Sequence, residues 1–324
     1  MHQVERVQDL TEDELLARVV PRLPAGTGRV VGPGDDAAVV LAPDGRFVVT
    51  TDVLVQDRHF RLGWGTGADV GWRAVMQNLA DVAAMGARPT AIVTSLVLPG
   101  DLEVAWVEDF ADGIAQACRR HAVGAEGGDL SGGPVVMVAM TAHGDLDGRA
   151  PVRRDGARPG DRLCHAGVLG RAAAGLVVLE SGGSHAPGAG DAVGAFLRPQ
   201  PPVGAGAQAA VAGARAMMDV SDGLLRDAGR MARASGVVLD LSTQALAGDV
   251  AALEPLARTF GREAGDWVLT GGEDHGLLAV FGPDGPLPEG FRQIGAVAAG
   301  EPGVRVDGRS PSTTTSGWDH FAGR

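Results

Sequence analysis

Strand-like and helix-like runs alternate along this chain without a regular strand, helix, strand period, and that ordering limits the fold more than any single motif. It specifies an α+β or mixed α/β architecture. Thr11, with Glu14 three residues on, forms a capping box ahead of an apolar stripe, so a helix starts near Thr11. DDAAVVLA and RFVVTTDVLV follow as two strand-like runs separated by the turn APDG. From Asp69 the apolar positions Val70, Trp72, Val75, Met76, Leu79, Val82 and Ala83 recur at helical spacing until Gly86, which suits a C-terminal cap. That helix places Gln77, Asn78 and Asp81 near one another. TAIVTSLVLP then reads as a strand, EVAWVEDFADGIAQACRRHA as a helix and VVMVAMTAHGDL as a strand.

A polar, Arg-rich stretch around residues 147–161 interrupts this pattern, and 324 residues suffice for two domains with cores. The boundary is placed there, giving domains 1–148 and 149–324. In the second half DRLCHAGVLG reads as a strand, RAAAGLVVLE as a helix and residues 181–190 as a Gly/Ser/Pro loop. AMMDVSDGLLRDAGRMARASG comes next, then VVLDL, WVLTGG and HGLLAVF as strands.

Composition excludes several functions. The net charge of −12 opposes a nucleic-acid surface, which needs a basic face. Lysine is absent, so all 28 basic residues are arginines, which rules out a Walker A loop, a kinase strand lysine and Schiff-base chemistry. Phosphate handling must rest on arginine, glycine-rich backbone and metal ions. Cys118 and Cys164 lack zinc-site spacing and read as small buried hydrophobes. No apolar run reaches a membrane span, and MHQVERVQDL lacks the pattern of a signal peptide, so the expected location is the cytoplasm.

Five acidic clusters point to chemistry. VGPGDDAAVV sets Asp35 and Asp36 between a Gly-Pro-Gly turn and an apolar run, and TTDVLVQDRHF places Asp52 after Thr50 and Thr51 inside a strand. An Asp in an apolar strand is costly unless paired or bound to a cation. Asp81 lies on a helix face among small and apolar neighbours, Asp129 in the glycine-dense loop GAEGGDLSGGP, and Asp219 and Asp222 flank Ser221 at a helix start. Carboxylates with hydroxyls, and no Cys/His cluster, favour Mg²⁺ bridging to phosphates over zinc.

The blocks GPGDDAAVV, TTDVLVQDRHF, NLADVAAMGARP, GGDLSGGP, RRDGARPGD, DVSDGLLRDAG and TGGEDHGLL stand in the order, and at about the separations, of thiamine-monophosphate kinases. The chain resembles that family from near Thr11 to the tail GWDHF. The family shares its fold with aminoimidazole ribonucleotide synthetase. The resemblance implies an N-terminal α/β domain that dimerises through its sheet, a C-terminal α+β domain and ATP bound between them. It further implies γ-phosphoryl transfer from ATP to thiamine monophosphate, giving thiamine diphosphate and ADP, assisted by several Mg²⁺ ions. Asp36, Thr50, Thr51, Asp52, Asp81, Asp129, Asp219 and Asp222 would then be metal ligands. Gly128, Asp129, Arg154 and Ser221 would lie against the nucleotide phosphates, and His59, Glu273 and Trp318 against the substrate. No general base is implied, because the acceptor oxygens are already ionised and direct in-line attack suffices.

The chain departs from the family pattern in places. Where members commonly read GGEDYEL this chain reads GGEDHGL, so His275 and Gly276 replace an aromatic and an acid. Tyrosine is absent altogether, and GGDLSGGP lacks the usual hydroxyl-rich continuation. Of the rival members of the fold, a selenophosphate synthetase would show an early reactive Cys and Lys, and the hydrogenase-maturation relative a C-terminal cysteine; neither is present. A catalytically dead Mg-ATP-binding module is the reading from another class, and the full set of carboxylates weighs against it.

Overall fold

The computed structural model describes residues 4–32, 38–183 and 185–311. Its residues form two compact units, one of 1–82 with 87–148 and the other of 83–86 with 149–324.

The first unit contains α1 (Glu12–Val19), β1 (Arg29–Val31), β2 (Val39–Val40), β3 (Val48–Val55), α2 (Gly67–Ala84, of which the last residues fall in the second unit), β4 (Arg88–Leu98), α3 (Val104–His121), β5 (Gly124–Gly132) and β6 (Met137–Asp145). Thr11 caps α1 as the sequence predicts, its hydroxyl accepting the Glu14 N–H while Glu14 accepts the Thr11 N–H. The main sheet runs β3-β6-β4-β5, antiparallel except for the β4–β5 pair that α3 connects. α2 and α3 cross closely because Gly71 and Gly113 bring backbone against backbone, the first at Phe110 and the second at Ala68. Any side chain there would collide with a main chain that cannot yield.

Strand alternation assigns residues to faces. Along β3, Val49, Thr51 and Val53 are exposed, whereas Thr50, Asp52 and Leu54 turn inward. Asp52 stands opposite Met140 in a row that continues through Thr94 to Gly128; Val53 begins a row through Ala139 and Ser95 to Asp129. The two rows lie on opposite faces.

The second unit contains β7 (Arg162–Ala166), α4 (Arg171–Glu180), α5 (Ala189–Leu197), α6 (Val203–Val211), β8 (Ala216–Val220), α7 (Leu224–Ser235), β9 (Val238–Leu241), α8 (Thr243–Phe260), α9 (Ala264–Thr270), β10 (Gly276–Phe281), β11 (Phe291–Ala298) and β12 (Gly303–Val306). Its sheet runs β12-β9-β11-β7-β10-β8, and of these pairs β12–β9 is parallel. Leu163, Leu224, Met231, Leu239, Leu278 and Ile294 are among the side chains of its core.

Two expectations fail for packing reasons. WVLTGG is not a strand: Trp267 and Val268 lie in α9 and are buried in the core of the second unit, so tertiary burial overrides their β preference. The Gly/Ser/Pro loop expected over residues 181–190 ends two residues early, since α5 begins at Ala189. Gly175 allows that helix to approach, because a Cβ there would meet the Ala192 backbone.

Candidate active site

In the first unit, β3 and α2 bring Thr50 to Asp81, the Thr50 hydroxyl donating to Asp81 Oδ2 at 2.7 Å. Asp52 is two residues on, on the same inward row and half-buried. Thr51 and Asp129 occupy the opposite face. The Thr51 hydroxyl donates to the Met140 carbonyl at 3.0 Å and accepts from Thr141 at 3.2 Å. Asp129, expected in a loop, lies within β5, whose glycines match a strand in close register with β4. Gly128 is required there, because a Cβ would overlap the Thr94 carbonyl. His59 closes the turn after β3: its Nδ1 accepts the Val55 N–H at 2.9 Å and its carbonyl accepts from Arg73 at 2.8 Å.

In the second unit, the segment between α9 and β10 is stitched to the end of β8. The Glu273 N–H donates to the Ser221 carbonyl at 2.8 Å, and the His275 N–H to that of Val220 at 3.1 Å. Glu273 and His275 adopt positive φ, 73° and 55°, which side chains other than glycine adopt only when the surroundings impose it. Gly272 lies beneath the Ser221 carbonyl and Gly223 beside that of Thr270, approaches that a Cβ would block. Asp219, Ser221, Asp222 and Glu273 therefore belong to one locality, joined by His275. Its Nδ1 lies 3.4 Å from Asp219 Oδ2 and its Nε2 3.6 Å from Glu273 Oε2. Burial opposes charge on this imidazole, yet the Asp219 and Glu273 carboxylates beside it outweigh that and push the pKa up to about 10. Arg154 is exposed, and its carbonyl accepts from Ser235 at 3.0 Å. Asp36 and Trp318 lie outside the described residues.

Two family models match consecutive parts of the chain: the AIR synthase related protein N-terminal domain over residues 34–146 and the corresponding C-terminal domain over residues 158–281. The thiamine-monophosphate kinase of Mycobacterium tuberculosis is 48% identical over 317 residues, covering 97% of this chain and 93% of that protein. The chain belongs to the thiamine-monophosphate kinase family. The Corynebacterium glutamicum member is 40% identical, covering 89% of this chain and 88% of its own. Among solved structures, AaThiL complexed with AMPPCP and TMP superposes with a TM-score of 0.79 at 33% identity, over 89% of this chain and 91% of its own.

For this kinase-family member the described metal-ligand candidates are hydroxyls and carboxylates, a donor set that fits Mg²⁺ and not a soft metal. Among the described residues no three His, Cys, Asp or Glu side chains converge as a ready-made cage.

Two carboxylates here escaped the sequence reading. Asp227 is fully buried on α7; its Oδ2 accepts the Asp222 N–H at 2.9 Å, and burial followed by the neighbouring Asp219 pushes its pKa up to about 6. The signal was an Asp inside the apolar stripe Leu224, Leu225, Ala228, Met231. Asp274 is buried too, and its Oδ1 accepts the Ala172 N–H at 2.8 Å, tying the loop that carries Glu273 to the start of α4, a position that favours negative charge.

Burial nevertheless pushes Asp274 up to about 7. In an unfolded chain an Asp ionises near ~3.9. The folded protein thus keeps a proton that the unfolded chain has lost, and unfolding becomes progressively more favourable as pH rises from the lower value to the higher. Asp274→Asn cannot ionise and is expected to gain stability relative to the parent across that window, with a constant difference above it. Urea denaturation of both proteins at several pH values checks this, and a pH-independent difference contradicts it.

Proposed function

We propose that this chain transfers the γ-phosphoryl group of ATP to thiamine monophosphate, forming thiamine diphosphate and ADP by direct in-line attack. The carrying observation is identity of 48% across 97% of the chain to a thiamine-monophosphate kinase, supported by the fold shared with AaThiL bound to an ATP analogue and TMP. Joining two polyanions is the chemical problem, so catalysis consists of positioning and charge neutralisation. Several Mg²⁺ ions would supply neutralisation of the phosphate oxygens when bound. Asp36, Thr50, Asp52, Asp81, Asp219 and Asp222 would hold them, with Thr51 and Asp129 contributing from the other face of their sheet. Gly128, Asp129, Arg154 and Ser221 would line the nucleotide phosphates; Arg154 offers a planar fork that matches two phosphate oxygens. His59, Glu273 and Trp318 would face the thiamine moiety, Glu273 its positive ring and Trp318 by stacking. Residues 1–148 would bind metal and ATP and dimerise, and 149–324 would complete the ATP and substrate sites.

A homodimer through the first sheet fits its open face. Val49 and Val53 there are 56% and 44% exposed, beside a groove of about 920 Å³ lined by Val93, Ala139 and His143 among others. Exposed apolar sheet surface of this kind is normally covered. No helix among the described residues is long and apolar enough to cross a membrane, and we place the enzyme in the cytoplasm.

The test is ADP release with Mg-ATP and thiamine monophosphate, run beside thiamine and beside no acceptor, with thiamine diphosphate identified by chromatography. Product with the monophosphate alone is expected. ADP without thiamine diphosphate, or ATP binding without turnover, moves the chain to another branch of the fold or to a binding role.

A further inference from the structure

The Asp222 carboxylate already has protein-borne cations. Arg230 Nη2 lies 2.6 Å from Asp222 Oδ2, and its Nη1 lies 2.6 Å from Asp227 Oδ1; Arg226 Nε stands 3.8 Å from the same Asp222 oxygen. One guanidinium thus forks across two carboxylates, a geometry that a lysine cannot reproduce. Asp227 in turn accepts the Asp222 N–H at 2.9 Å, so backbone and side chain of Asp222 are both held from α7. The arrangement is graded in exposure: the side chain of Asp227 is 0% exposed, that of Asp222 16% and that of Arg230 33%.

We infer that Arg230 is an exchangeable counterion of Asp222, a positioning residue that sets how tightly this carboxylate takes a divalent cation. The inference rests on the reading of Asp222 as a metal ligand. An arginine is charged at every working pH, so a cation arriving at Asp222 meets a like charge at contact distance from its own ligand. It must either displace the Nη2 arm or bind against its repulsion. The second arm makes displacement feasible. Asp227 is buried and would be costly to leave unpaired, but Nη1 stays on it when Nη2 lets go. Asp222, which is closer to solvent, is the carboxylate that can change partner.

The experiment measures Mn²⁺ binding to the full chain without nucleotide, from the free-ion electron paramagnetic resonance signal, with urea midpoints recorded in parallel. Arg230→Met is expected to bind Mn²⁺ about tenfold more tightly, since removing a contact charge acts on both displacement and repulsion. It is also expected to lower the urea midpoint, which Mn²⁺ restores. Should that variant not fold, Arg230→Lys keeps a charge that reaches only one carboxylate and is expected to tighten binding at least threefold. Asp222→Asn separates the two ideas. If it weakens Mn²⁺ binding while the Arg230 variants leave affinity unchanged or lower, the counterion role is overturned and the metal reading stands. If Asp222→Asn changes nothing, the metal reading fails and the inference with it. A shift in urea midpoint without any change in affinity marks Arg230 as structural only, and likewise overturns the inference.

Discussion

Asp52→Asn is expected to reduce ADP formation by roughly 10²- to 10³-fold, the range seen when one preorganised electrostatic contact to developing charge is lost. The substitution is nearly isosteric and the side chain is only half-buried, so the fold is expected to survive. Its inward row holds Val48, Thr50 and Leu54, positions at which a carboxylate carries a desolvation cost that an ordinary strand residue does not. Thr50 on the same row is already committed to Asp81, which places two carboxylates and a hydroxyl on the covered face of one sheet. Asparagine keeps one oxygen but loses the charge and one acceptor, so a cation site there weakens while packing persists. Steady-state ADP release across Mg²⁺ concentrations, with circular dichroism melting as the control for folding, decides it. Mg²⁺-dependent turnover near the parent rate in a folded variant would remove Asp52 from the metal site.

Periodicity made much of this legible in advance. The Thr11/Glu14 box, the stripe along α2 and the strand-like run of β3 are local patterns, and each element forms where its pattern lies. What depends on register was not legible. Thr50, Thr51, Asp52 and Asp129 look equivalent in a list of motifs, yet pairing with β6 and β4 divides them between two faces. Glycine misled at Gly128, because the same residue that marks a loop also permits strands to meet closely. Asp274 stayed hidden behind Glu273. Adjacent acids look alike in sequence, and only the fold shows one buried against the start of α4 while the other reaches toward His275.

Gly276 is where this chain replaces the acid that family members commonly carry, and the structure gives the replacement a partner. His165 on β7 is fully buried, burial pushes its pKa down to about 3, and neither ring nitrogen has a hydrogen-bond partner among the described residues. It pairs in register with Leu278, so its ring passes directly over Gly276, where a Cβ would overlap Nε2. The φ of Gly276 is not in the left-handed region, and the demand for glycine is therefore steric. Gly276→Ala is expected to cost about 3 kcal/mol by overpacking, and Gly276→Glu more, because it adds a buried carboxylate to the collision. A Cβ would also stand 2.8 Å from the Ala166 carbonyl, so His165→Ala removes the nearer of two obstacles together with an unsatisfied polar ring, and in that background Gly276→Ala should cost at least ~1 kcal/mol less than in the parent. Urea unfolding of the four proteins of this cycle measures the coupling directly. Effects that add to within about 0.5 kcal/mol would show that the two positions are independent and that the glycine serves some other constraint.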